Sequence, residues 1–78
     1  MLLSEDQLKE YGFVENSTKI VPNSIKVMSR DNINLVIRKD GIYYNNMGFD
    51  YPLNDTIALR KIYKELRSEE LKLYISIN

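Results

Sequence analysis

The chain has 78 residues, no cysteine and no histidine, and its 11 basic and 11 acidic residues cancel. This length implies a single domain, 1–78, burying somewhat over ~60% of the surface its unfolded chain would expose. No disulfide or ordinary zinc site can staple so small a core, serine triads lack their histidine, and balanced charge speaks against bulk nucleic-acid binding.

Met1-Leu2-Leu3 is followed at once by Ser4-Glu5-Asp6, too short an apolar run for a signal peptide. No stretch approaches the ~18 apolar residues of a membrane span. The expected setting is the cytoplasm, whose reducing conditions suit a chain without cysteine, and no membrane contact is expected.

Ser4 to Tyr11 has the marks of a short helix. Ser4 and Gln7 stand at capping-box spacing, and Leu3 and Leu8 at hydrophobic-staple spacing. Glu5 and Asp6 suit the positive end of the helix dipole. Gly12 fits the left-handed stop, with Phe13 folding back on Leu8. Two turns are not stable alone, so this helix must dock.

Val14 to Thr18 is polar and reads as a loop. Asn16-Ser17-Thr18 matches a glycosylation sequon, but with no secretion signal the match is read as chance. Pro22 argues for a break or an edge. Ser24 to Ser29 is the first firm strand, and Ile33 to Lys39 the second.

Two loops between these strands compete. A two-residue loop at Asp31-Asn32 would put Lys26, Met28 and Arg30 on the core face. A three-residue loop, Arg30 to Asn32, pairs Ile25 with Ile37 and Val27 with Leu35. The apolar pattern favours the second, because a one-residue slip exchanges the faces.

Asp40-Gly41 is the clearest turn signal, read as a type I′ turn leading into Ile42 to Asn46. It pairs Lys39 with Ile42 and Ile37 with Tyr44. Ile33, Leu35, Ile37, Ile42 and Tyr44 then share the core face. Val36 and Tyr43 fall on the other face.

Phe49, Tyr51 and Leu53 alternate with Gly48, Asp50 and Pro52, as in an extended segment feeding a helix. Asn54 or Asp55 is the N-cap. Leu59, Ile62, Tyr63 and Leu66 follow helical spacing, giving a main helix over Thr56 to Arg67. Leu71, Leu73, Ile75 and Ile77 alternate with polar residues and Tyr74, as a last strand does.

The expected fold is therefore α+β, in the order αβββαβ. A short N-terminal helix precedes an antiparallel three-stranded β-meander. The main helix packs on the sheet, and the C-terminal strand joins it beside the first strand by a right-handed crossover. The result would be a four-stranded mixed sheet.

Tyr51-Pro52-Leu53, Leu59, Ile62-Tyr63, Leu66 and Glu70-Leu71 together resemble the tail of small uncharacterised proteins of bacteria and their phages. In that group a Tyr-Pro-aliphatic turn leads into an amphipathic helix, and a Glu-Leu pair opens a last strand. Where the group has a Thr-Gly step after the helix, this chain has Arg67-Ser68. The resemblance implies a phage or mobile-element origin and no particular activity.

Chemistry-bearing constellations are sparse. Glu5, Asp6, Asp31, Asp40, Asp55, Glu69 and Glu70 sit at caps and turns, where a structural role suffices. Asp50 with Asp55 lacks the spacing of a calcium loop. No catalytic residue, metal ligand or cofactor is expected, and no small-molecule substrate is implied.

Two surfaces remain. Arg60, Lys64 and Arg67, with Lys61 adjacent, make a basic stripe on the main helix. Ordinary amphipathicity explains it, and nucleic-acid contact is the functional alternative. Val36, Tyr43 and Met47 make a candidate protein interface on the second sheet face, unless the N-terminal helix covers it. The function expected is a non-catalytic protein-interaction or regulatory module, with a protein partner or self-association, including a dimer, through the sheet.

Overall fold

In the computed structural model, which describes residues 2–73, five strands form one antiparallel meander: β1 (Val14–Glu15), β2 (Lys26–Arg30), β3 (Ile33–Arg38), β4 (Gly41–Asn46) and β5 (Phe49–Pro52). Two helices, α1 (Glu5–Glu10) and α2 (Thr56–Arg67), complete the order α1-β1-β2-β3-β4-β5-α2. Leu3, Leu8 and Phe13 join Met28, Ile33, Leu35, Ile42, Leu53, Leu59, Tyr63 and Leu71 in one buried cluster. Both helices therefore lie on the same face of the sheet.

The helix signals act where the sequence places them. Ser4 caps α1, its hydroxyl accepting from the Gln7 N–H at 3.2 Å while Gln7 accepts from the Ser4 N–H at 3.0 Å. Gly12 turns at φ 84, and the Phe13 N–H reaches back to the Leu8 carbonyl at 3.0 Å, completing a Schellman stop. Asp55 caps α2 by accepting from the Ala58 N–H at 2.9 Å.

The sheet departs from the expected one in three ways. Among the described residues it has five strands, all antiparallel, in place of the expected three-stranded meander. Val14–Glu15 is a strand where a loop was expected, and it occupies the place beside β2 assigned to the last strand. Phe49–Pro52 is a strand and not merely a feeder for the helix. The Tyr43↔Pro52 pair is the clue to why Pro52 is tolerated. The Leu53 N–H bonds the Ile42 carbonyl at 2.9 Å, so alternation turns the Pro52 nitrogen away from β4. A missing N–H costs the ladder nothing there.

Ser68–Leu73 forms no strand, and the rest of the expected last strand, 74–77, lies outside the described residues. Ser68 takes a left-handed conformation, φ 59, and ends α2. Glu70 then meets Arg60 at 3.5 Å and Lys64 at 3.4 Å, both on α2. The chain is thus folded back along the helix, and Leu71 enters the core there.

The register of the first hairpin is the second correction. Lys26 pairs with Ile37 and Met28 with Leu35, the two-residue loop at Asp31-Asn32 that the apolar pattern disfavoured. Ile25 is 65% exposed, while Met28 is fully buried. The charged neighbours survive on the core face because they lie at its rim and find partners. Lys26 reaches Glu5 of α1 at 2.9 Å and Glu15 of β1 at 3.7 Å. Asp31 and Asn32 both take positive φ, 52 and 66, so this is where a type I′ turn forms.

The third correction is at Asp40-Gly41. Arg38 pairs with Gly41 and Ile37 with Ile42, leaving Lys39-Asp40 as the loop. The shift is two residues, so every side chain keeps its expected face. Ile33, Leu35 and Ile42 are buried in the cluster, and Ile37 and Tyr44 pack against it.

Candidate interaction surfaces

Among the described residues the second sheet face carries no helix, since α1 and α2 both lie on the other side. Across it runs one row of side chains: Val27, Val36, Tyr43 and Pro52, paired strand to strand. Val27 and Val36 are buried all the same. Arg38, on the same face as Val36, reaches across β4 to Asp50 of β5 at 2.9 Å. It also donates to the Pro22 carbonyl at 2.6 Å, tying the loop before β2 to the sheet. Asn45 donates to the other Asp50 oxygen at 2.8 Å. Hydrogen bonds from Asn45 and Arg38 hold the Asp50 carboxyl below the usual carboxylate range.

The expected interface residues are not one patch. Val36 is sealed in this row. Tyr43 is half-buried beside it, and the nearby Asp40 carboxylate, with partial burial, pushes its phenol pKa up. Met47 lies four residues further along, about 13 Å away at ordinary strand rise. It is 89% exposed at the tip of the β4–β5 hairpin.

Met47 belongs with two residues that the sequence reading passed over. Phe49 is 68% and Tyr51 48% exposed, and both lie on the helix-bearing face, at its open flank. Tyr51 stacks on Tyr44 with ring centroids 5.9 Å apart. The alternation of Phe49, Tyr51 and Leu53 is visible in the sequence. What it does not reveal is that the core covers Leu53 alone.

The hairpin tip is itself unusual. Met47 and Gly48 form the two-residue turn, at φ 53 and φ 85. Gly suits that conformation; a long unbranched apolar side chain does not, and Asn or Asp is the common choice at the first position. The most disfavoured backbone choice in the sheet thus coincides with one of its most exposed apolar side chains.

On α2 the basic stripe is only partly free. Arg60 and Lys64 share Glu70. Arg67 lies near Asp31, whose carboxyl is held below its usual range first by the Tyr63 hydroxyl and also by Arg30 and Arg67. Lys61 is exposed and makes no ion pair among the described residues. Three carboxylates do structural work: Asp55 caps α2, Asp50 ties the sheet and Asp31 holds Tyr63. Asn16 closes its own turn, accepting from the Thr18 N–H and hydroxyl at 3.2 and 2.6 Å.

Among the described residues no helix is long and apolar enough to cross a membrane. In comparison with known proteins, no family model, no curated protein and no solved structure matches this chain.

Proposed function

We propose that this chain is a small, non-catalytic protein-interaction module of the cytoplasm that docks through side chains at its β4–β5 hairpin. Met47, Phe49 and Tyr51 are the contact residues, and the partner is a second protein offering an apolar pocket. The observation that carries this reading is Met47, an exposed apolar residue held at positive φ where local folding favours Asn or Gly. Backbone strain of this kind clusters at functional sites.

Strand addition at the sheet edge is the rival mode of docking, and both edges oppose it. On β5 the outward backbone positions are Asp50 and Pro52, a charge and a residue without an N–H. On the other side β1 is two residues long. Charged, proline-bearing and very short edges are how sheets discourage pairing with other chains. Nucleic-acid contact through α2 is weakened by Glu70, which already engages two of the four basic residues.

The test is affinity capture from source cells with wild type and with Met47→Asp/Phe49→Asp, compared by mass spectrometry. The expected result is a protein retained by wild type and lost from the double variant, with unchanged circular dichroism. Identical retention by both would overturn the assignment of the hairpin as the docking element.

A further inference from the structure

Three elements meet at one atom. The Tyr63 hydroxyl, on α2, donates to Asp31 Oδ2 at 2.7 Å. Arg30 Nε donates to the same oxygen at 3.2 Å. The Arg30 guanidinium lies over the Tyr63 ring, 5.4 Å from its centroid. Its second arm donates to the Tyr11 carbonyl, the C-cap residue of α1. Cations at a helix C-terminus satisfy its unpaired carbonyls and its dipole.

We infer that Arg30, Asp31 and Tyr63 form a single latch that couples the docking of α1 to the docking of α2. The reason is connectivity. Among the described residues α1 and α2 share no hydrogen bond or ion pair of their own. The Leu3 N–H meets the Asn54 carbonyl at 2.9 Å where the chain leads into them, and beyond those N-terminal ends each helix is tied to the same β2–β3 turn. Tyr63 orients Asp31; Asp31 fixes the Arg30 head group; Arg30 caps α1. The turn is well placed to transmit this, since Asp31 and Asn32 hold a fixed left-handed pair. Release of either helix frees Arg30 and so loosens the other. The two helices should open as one cooperative unit, exposing the core face of β2 and β3 together.

Native-state hydrogen exchange read by NMR tests this in Tyr63→Phe, which keeps the ring and the cation–π contact but removes the hydroxyl. The expected result is severalfold faster exchange at two places at once: the Tyr11, Gly12 and Phe13 amides ending α1, and the last two turns of α2. Acceleration confined to α2 would overturn the coupling, as would no acceleration at either end. Asp31→Asn provides a second arm, expected to loosen both ends together. Should that variant fail to fold, Tyr63→Phe carries the test alone.

Discussion

The β2–β3 and β4–β5 hairpins close in the same way and are used in opposite ways. Each turns on two residues at positive φ, Asp31-Asn32 in one and Met47-Gly48 in the other. The first turn uses residues whose short polar side chains tolerate that conformation, and it then employs Asp31 to hold Tyr63 and Arg30. The second uses a methionine that tolerates it poorly and points it into solvent. Local chemistry and global packing agree at the first hairpin and conflict at the second. Conflicts of that kind mark sites kept for reasons other than folding.

The widest gap between the hairpins should appear in their anchors. Tyr63 is 1% exposed and pins α2 to the β2–β3 turn. Tyr63→Ala should cost about 3–5 kcal/mol, the usual loss for a buried aromatic, measured by urea denaturation. Phe49→Ala, at the other hairpin, should stay within about 0.5 kcal/mol of wild type, as exposed substitutions usually do. Comparable losses at the two positions would erase the distinction.

The turn between the two hairpins sharpens the comparison. Gly41 lies at φ 156, and a Cβ there would meet the Tyr43 ring at 3.8 Å, an ordinary contact. Space is therefore available and only the backbone objects. Gly41→Val should lower stability by about 1–3 kcal/mol, the usual cost of such strain. An unchanged melting temperature would show that the first residue of β4 tolerates a side chain and that Gly41 does not set the register.

The faces of β3 and β4 were legible in the sequence, and so were both helices and the capping of α1. The α2 N-cap was narrowed to Asn54 or Asp55, and its left-handed stop at Ser68 was not legible. Alternation fixes a face even when register is wrong by two, which is why Asp40-Gly41 was misplaced without moving Ile37 or Tyr44. The β2 register was not legible. Its core face holds Lys26 and Arg30, which read as solvent residues until Glu5, Glu15 and the α1 C-terminus are seen around them. The same blindness hid β5, because Pro52 and Asp50 look like strand breakers unless one knows that they face the open edge. Leu71 misled in the other direction, since its place in the core comes from Glu70 folding back on α2. Of the proposed interaction surface, the sequence singled out Met47 but grouped it with Val36 and Tyr43 on the second sheet face; its place beside Phe49 and Tyr51 required the hairpin.

Acid should act on both hairpins, through Glu5 and Asp31 around the first and through Asp50, held by Asn45 and Arg38, on the second. Hydrogen bonds from Lys26 to Glu5 and from Tyr63 to Asp31 lower both carboxyl pKa values below their ordinary ones, 4.5 and 3.8. A depressed folded pKa contributes stability that is complete above the unfolded value and lost as pH falls through the folded one. The melting temperature should therefore be level near neutrality and fall below about pH 4. At the alkaline end Tyr63, raised by burial and by Asp31, should reverse the sign, with stability falling as pH climbs past its ordinary value of 10.0. A melting temperature that stays level from neutrality down through pH 3 would show that these contacts contribute nothing.

The smallest expected change carries the most information about function. If Met47 is retained for contact, the sheet should be slightly more stable without it. Met47→Asn places at φ 53 a residue that favours that conformation and leaves Gly48 its own place in the turn. Stability should rise by about 1 kcal/mol, the low end of what relieved strain of this kind returns. Partner capture should fall at the same time, because the apolar tip is gone while the hairpin is intact. The combination is the signature of a site that trades stability for activity. A variant that is more stable and still binds would place the contact on Phe49 and Tyr51 alone. A variant that is less stable would mean that the Met47 side chain is held by the fold, and the hairpin tip would then have no claim to be anything but structure.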